Sequence, residues 1–489
     1  MKDKIFRYRG ELLSALLGIL FITIAATWES PLYKGSYGFD ASFFSMMGRA
    51  ILEGRVPYKD YFDIKGPAFF FVQAFGQLIH RDRLGVYIIE CVAASSAFVF
   101  LFKICKLYNF SIKKTVAVFF VTVYVYVTTL WGGNTVEEFM LPLNYAALFY
   151  GLLFLKGKSK DLGVAFFYGI VTSFAVFSKV TTAAPAYAVV ICVIIYLISH
   201  KRYKDLFICI GLFVAGFISV AAPIFLYFYL RNALPDFINA AFVVAFKRST
   251  DYYEPVSLKW ESYLIICYVG ILMFIARIKY RGYEKALLLA MSVITFIALH
   301  FGTPFDYYFT TALPLFSFIS ILICRDAKLL YFIKGKKFKY VLNNMIIAII
   351  GLVVALMFYN SKTLNKLYEC YRIASTQSEM EAYENYKDIF SLIPEYEYKD
   401  VFCIESGMIL YEVNQVLPEN KYPVNYPYFT ELYPQSKKEV LYRLNKYPPK
   451  WIVSEDMEHF QIDEIREYVL DHYMKVTDNP VDELWLKIY

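Results

Sequence analysis

The chain has 489 residues, 58% of them hydrophobic and only 19% charged, with a mean hydropathy of +0.43. Soluble proteins carry about 25% charged residues, so a soluble enzyme, a secreted disulfide scaffold and a disordered chain are all excluded. The net charge of +7 is unevenly spread: residues 360–489 hold 14 Lys+Arg against 23 Asp+Glu, and the remainder 36 against 20.

Eleven windows are nearly or entirely free of charge: 12–28, 84–102, 115–136, 139–155, 162–178, 180–199, 206–230, 262–276, 286–305, 307–324 and 340–361. Most reach the roughly 17–25 residues that a helix needs to cross the hydrocarbon core. The expected fold is a polytopic α-helical membrane protein with about eleven transmembrane helices. The first window follows Lys2, Lys4, Arg7 and Arg9. No small-residue cleavage site comes after it, so it reads as a retained helix, not a signal peptide. With the N-terminus in the cytoplasm, inside segments collect 24 Lys+Arg and outside segments 12 over more residues. That is the positive-inside pattern. It makes residues 1–359 a transmembrane domain and residues 360–489 an extracytoplasmic domain.

The first outer segment, residues 29–83, is too long for a simple connector. Within it Ala41–Leu52 and Pro67–Ile79 have apolar residues at helical spacing and read as helices lying on the membrane surface. Gly54–Pro57 breaks the chain between them. In the tail, short apolar runs at Asp400–Ile404 and Trp451–Val453 alternate with helical stretches at Lys437–Leu444 and Ile462–Leu470, which suggests a small α/β domain. Cys370 and Cys403 lie there and could pair on an oxidising side. No metal-type Cys/His cluster is present, and no internal repeat is evident.

Polar residues gather in the first outer segment: Asp40, then Tyr58-Lys59-Asp60-Tyr61-Phe62-Asp63-Ile64-Lys65-Gly66-Pro67. A carboxylate at the start of an interfacial helix suits a general base for an acceptor hydroxyl. A lysine beside Gly-Pro suits a lipid phosphate, with the positive end of the next helix pointing the same way. The residue types leave a second reading open, in which Asp40 caps its helix and Lys65 snorkels to head groups. Elsewhere Glu137 and Glu138 open a helix, either to orient an acceptor or as part of a capping box. Lys179 marks a tight hairpin, Tyr308 follows His300 and Asp306, and Arg248 lies in a charged loop near Lys247 and Asp251.

The arrangement of Asp40, then Gly54-Arg55-Val56-Pro57-Tyr58-x-Asp60-x-Phe62-Asp63-x-Lys65-Gly66-Pro67, after one N-terminal span, resembles the GT-C superfamily of membrane glycosyltransferases. It is similar to bacterial members related to protein O-mannosyltransferases and to the lipid A aminoarabinose transferase. The resemblance implies a GT-C-like architecture, with Asp40 as catalytic base and Lys65 as ligand of the donor phosphate. It adds Tyr308 and Arg248 as further donor-phosphate ligands, and Asp60, Asp63, Glu137 and Glu138 as acceptor or substrate ligands. Many relatives have Asp-Asp or Asp-Glu where this chain has Asp40-Ala41, and Ile64 separates Asp63 from Lys65.

The implied reaction moves a sugar from a polyprenyl-phosphate donor to an extracytoplasmic glycan, lipid or protein with inversion, in the bacterial cytoplasmic membrane. No nucleotide and no nucleic acid take part; no cofactor is required by the pattern, and a divalent metal is left open. A lipid-linked oligosaccharide flippase or polymerase, or a non-catalytic envelope assembly protein, are the alternatives. A flippase would bury charge along its spans, whereas here polar groups crowd the outer segments. Which sugar moves, which acceptor takes it, metal dependence and oligomeric state have no signature in the sequence.

Overall fold

The structure is a computed structural model that describes residues 8–251, 268, 282–300, 305–332, 368–369, 371–404, 407–423, 430, 433–478 and 482–488. In chain order its helices begin with α1 (Arg9–Ala25), α2 (Phe39–Leu52), α3 (Pro67–Ile79) and α4 (Arg83–Leu107). Next come α5 (Ile112–Thr129), α6 (Val136–Leu155), α7 (Val164–Val176), α8 (Ala184–Ser199) and α9 (Tyr203–Leu230). They are followed by α10 (Leu234–Ile238), α11 (Ala245–Asp251), α12 (Gly282–Leu299), α13 (Leu313–Phe332) and α14 (Gln377–Ser391). The C-terminal part adds β1 (Val401–Cys403), α15 (Gly407–Val413), α16 (Pro434–Lys446), β2 (Trp451–Ser454), α17 (Asp463–His472), β3 (Tyr473–Asp478) and β4 (Glu483–Lys487).

Among the described residues, seven helical stretches are long and apolar enough to cross a membrane, and α3 and α7 are shorter apolar helices. The chain is a multi-pass membrane protein. Nine of the eleven charge-poor windows fall on described helices. Windows 262–276 and 340–361 lie, Tyr268 apart, outside the described residues, as does Cys370. Helix boundaries shift against the charge pattern, and two of the shifts have a visible cause. The helix expected over 115–136 stops at Thr129, because Gly132, Gly133 and Asn134 take left-handed backbone angles. The helix expected over 286–305 starts early, at Gly282, and carries the buried Glu284 because Tyr108 and Arg325 hydrogen-bond its carboxylate at 2.8 and 2.6 Å.

Two compact units divide the chain. The first comprises residues 1–26, 90–223 and 252–372. Small residues let its helices touch: a Cβ on Gly18 of α1 would lie 2.6 Å from the Ser95 backbone of α4, whose hydroxyl donates to the Ala15 carbonyl at 2.8 Å. Without water to satisfy them, polar side chains inside such a bundle bond to each other. Ser317 on α13 meets Thr122 of α5 at 2.8 Å and Tyr145 of α6 at 2.6 Å, and Asn144 donates to the Thr182 carbonyl at 2.8 Å.

The second unit comprises residues 27–89, 224–251 and 373–489, so the first outer segment and the tail fold together. Helices α2 and α3 approach so closely that a Cβ on Gly48 would meet the Gln73 backbone at 2.6 Å. Arg83 donates to the carbonyls of Trp28, Tyr33, Lys34 and Ser36 at 2.7–3.0 Å, which gathers the loop before α2. The tail holds the expected small sheet, in the order β1-β2-β4-β3. Strands β1 and β2 are parallel, and β2–β4 and β3–β4 antiparallel. Cys403 on β1 is a free, buried thiol.

Buried between α2 and α15, Arg49 binds Glu412 at 2.9 Å, with side chains 5% and 3% exposed. Ser45 donates to the other Glu412 oxygen at 2.8 Å, and Arg49 also reaches Gln415 and the Val416 carbonyl. Nearby, the Phe62 amide donates to the Lys421 carbonyl at 2.8 Å, and the Phe62 ring stacks on Tyr433 at 4.8 Å. Removing one partner of a buried ion pair strands the other charge, at about 3–5 kcal/mol. Arg49→Ala should therefore loosen the tail from α2, read as faster proteolysis within 373–489 in detergent. Cleavage no faster than in the parent would contradict this.

Candidate active site

Asp40 lies in the first turn of α2, whose N-cap is Gly38 and has no side-chain cap. The Asp40 carboxylate is 3.7 Å from Lys65 Nζ and 46% exposed, so it keeps lone pairs open to solvent. Lys65 is drawn over the Phe44 ring, with Nζ 4.5 Å from the centroid. Phe44 is one turn beyond Asp40, and the two therefore share a face. Arg49, nine residues on, lies about half a revolution away from Asp40. The helix is thus anchored to the tail on one side and presents its carboxylate on the other.

The turn that delivers Lys65 is held by its own residues. Asp63 is buried, and its Oδ1 accepts the amide N–H groups of Ile64 and Lys65 at 2.5 and 3.3 Å. Burial pushes the Asp63 carboxyl up, against the opposing pull of Lys65. Asp60 accepts the Val56 amide at 2.6 Å and so closes the preceding turn. Tyr58 is fully buried with φ 69°, a conformation uncommon for a bulky residue and one that marks functional turns. Its hydroxyl, kept protonated because burial raises it well above its ordinary value, donates to the Lys65 carbonyl at 2.6 Å. The ring packs against Phe228 and Phe237 at 5.5 and 5.7 Å. Immediately after Lys65, Gly66 caps α3 and Pro67 occupies its first turn. The amide dipoles of that helix end add positive potential.

The first unit holds a second polar cluster. Glu137 Oε1 pairs with Lys179 Nζ at 2.6 Å, and Lys179 sits over the Tyr308 ring, 3.0 Å from its centroid. Glu138 closes a capping box with Thr135 and takes the Tyr126 hydroxyl at 3.4 Å. The Asn134 amide donates to Glu90. His300 turns inward to the Phe296 carbonyl at 2.7 Å. Arg248 is half-buried on α11 in the second unit, where Lys59 donates to the Arg231 carbonyl at 3.1 Å. Tyr252 and Tyr253 lie outside the described residues. The structure thus joins Asp40, Asp63 and Lys65 in one place, and Glu137, Lys179 and Tyr308 in another. Among the described residues no group of three or more His, Cys, Asp or Glu side chains gathers as for a metal ion.

No family model matches the chain, and no curated protein matches it in sequence. Solved structures do. ArnT from Cupriavidus metallidurans bound to undecaprenyl phosphate superposes with a TM-score of 0.60 at 11% identity, covering 99% of this chain and 98% of that one. Its apo form gives 0.59 at 12% over the same shares. The Archaeoglobus fulgidus oligosaccharyltransferase, tethered to an acceptor peptide containing the NVT sequon, gives 0.50 at 13% over 99% of this chain and 75% of that one. Both are GT-C proteins. The chain has the GT-C fold. The superpositions run along nearly its whole length, so the GT-C fold includes the C-terminal part as well as the membrane helices.

A carboxyl raised by burial binds its proton more tightly in the native state. Its contribution to stability is therefore complete below the unfolded carboxylate range and is lost as pH rises through the folded value. Asp63→Asn, which retains an oxygen for the two amides, should unfold no earlier than the parent at pH 7 and show a flatter decline from acid to neutral pH. Thermal unfolding across that range measures this; a variant that unfolds earlier at pH 7 would contradict it.

Proposed function

We propose that this chain is an integral membrane glycosyltransferase that transfers a sugar from a polyprenyl-phosphate donor to an extracytoplasmic glycan, lipid or protein, with inversion. The observation that carries the reading is the Asp40–Lys65 pair at 3.7 Å on a rigid helix start. It sets a solvent-open carboxylate in the first turn of α2 beside a cation that immediately precedes the start of α3. The GT-C fold, and a neighbour solved with undecaprenyl phosphate, support the same kind of substrate.

In the proposed reaction Lys65 and the N-terminal dipole of α3 hold the donor phosphate. Asp40 accepts the proton of the acceptor hydroxyl, whose oxygen attacks the anomeric carbon as the bond from that carbon to the phosphate oxygen breaks. Polyprenyl phosphate leaves with both electrons of that bond. One face is attacked as the other departs, so the configuration inverts. Tyr308 and Arg248 are further candidates for the donor phosphate, and Glu137, bridged to Tyr308 through Lys179, for the acceptor. Asp60, Asp63 and Glu138 already bond to the chain itself, so their proposed part is to hold substrate-facing turns.

We place the N-terminus in the cytoplasm and the second unit outside. The basic-residue balance supports this: inside segments collect 24 Lys+Arg and outside segments 12.

The test is release of polyprenyl phosphate by purified protein offered a panel of polyprenyl-phosphate sugars and an envelope extract as acceptor. One donor should be consumed. A positioned base contributes about 10²–10⁴-fold, so Asp40→Asn should lower the rate by that order with folding intact. Lys65→Ala should chiefly raise the donor concentration needed for half-maximal rate. Unchanged turnover by Asp40→Asn would remove Asp40 from the reaction, and no release from any donor would overturn the transferase reading.

A further inference from the structure

The membrane bundle of the first unit contains a cavity of about 200 Å³ that the proposed transfer does not use. Its origin is a helix crossing. A Cβ on Gly169 of α7 would lie 2.1 Å from the Phe213 carbonyl of α9, and one on Gly216 would lie 2.0 Å from the Phe166 carbonyl. The two backbones touch there. Towards their starts, at Val164 and Leu206, larger side chains hold the helices apart, and the gap is walled by Phe154, Tyr168, Leu197 and Phe213. Tyr168 spends its hydroxyl on the Ala147 carbonyl at 3.2 Å and gives the gap only its ring. Asp161, at the edge, spends one oxygen on the Gly163 amide at 2.8 Å. Such a lining does not hold water, and an empty gap loses dispersion contacts on one side.

The chain beside the cavity is cationic. The Arg202 guanidinium lies 5.5 Å from the centroid of Phe154, a wall residue. The two connections flanking the cavity, residues 156–161 and 200–205, carry six Lys or Arg against two carboxylates, Asp161 and Asp205. Arg202 pairs with Asp205 at 2.7 Å, and Lys156 lies 3.6 Å from Glu284. Lys158, Lys160, Lys201 and Lys204 remain exposed. An apolar slot beneath a cationic rim fits an amphiphile with a hydrocarbon chain and an anionic head. It is separate from the Glu137–Lys179–Tyr308 cluster of the same unit: wall residue Val193 is fourteen residues beyond Lys179 along one helical stretch, about 21 Å away.

We propose that this cavity binds one acyl chain of an anionic glycerophospholipid, with its head group on the rim formed by Arg202 and the neighbouring lysines. The site is structural or regulatory and independent of the transfer reaction.

The probe is phosphatidylglycerol, with phosphatidylcholine of the same chains as the neutral comparison, added to delipidated protein in a non-ionic detergent. Lipid retention is read by native mass spectrometry. Alkylation of Cys209, a half-buried wall residue, is read by peptide mapping. Phosphatidylglycerol should be retained in preference to phosphatidylcholine and should slow Cys209 alkylation. Ala165→Phe, which fills the cavity, should abolish both effects. Each basic residue near a lipid head group contributes about 1 kcal/mol, so Arg202→Gln should weaken retention about fivefold. Equal retention of the two lipids, unprotected Cys209 with phosphatidylglycerol bound, or full retention by Ala165→Phe would each overturn the site. Should Ala165→Phe not fold, Cys209 protection in the parent decides alone.

Discussion

The placement of the Asp40-bearing helix α2 depends on a buried ion pair between residues 363 positions apart, Arg49 and Glu412. A guanidinium and a carboxylate with side chains 5% and 3% exposed are expensive to desolvate, and the arrangement is stable because each is almost fully hydrogen-bonded. Ser45, Gln415 and the Val416 carbonyl complete the set. The pair fixes α2 against the tail on the face opposite Asp40. Without that anchor the direction of the Asp40 carboxylate would be less well defined. The tail thereby becomes part of the frame that aims the first-turn carboxylate.

The same economy governs Lys65. Its carbonyl is held by Tyr58, its amide by Asp63 and its ammonium group by Asp40 and the Phe44 ring. Backbone strain at Tyr58 is stored where the turn must project a cation towards the start of α3. Within the bundle, by contrast, charge is neutralised. Glu284 is met by Arg325 and Tyr108, and Glu137 by Lys179. Such pairing suits charge in hydrocarbon, whereas the Asp40–Lys65 pair of the second unit is open to solvent.

Much of this was legible in the sequence. The membrane class follows from charge-free windows, and the two helices of the first outer segment follow from apolar spacing: Pro67–Ile79 matches α3, and Ala41–Leu52 falls short of α2 by two residues. The order Asp40…Asp63-x-Lys65-Gly66-Pro67 carried the resemblance to the fold that the superpositions then displayed. What sequence could not supply was long-range pairing. Nothing near Arg49 announces Glu412, and nothing near Glu137 announces Lys179, because each contact is made by the tertiary fold. Tyr58 escaped for a different reason: a tyrosine gives no local signal for a left-handed turn, which glycine or asparagine normally marks. At Glu138 residue types allowed two readings, and the capping box is the one whose bonds are formed.

The most direct test of the account is a cryo-electron microscopy structure of the protein in lipid nanodiscs with a polyprenyl phosphate added. The account predicts phosphate density within ion-pairing distance of Lys65 Nζ, at the start of α3, with the Asp40 carboxylate facing open space beside it. A phosphate bound away from Lys65, or an Asp40 turned from that phosphate and enclosed by protein, would contradict it.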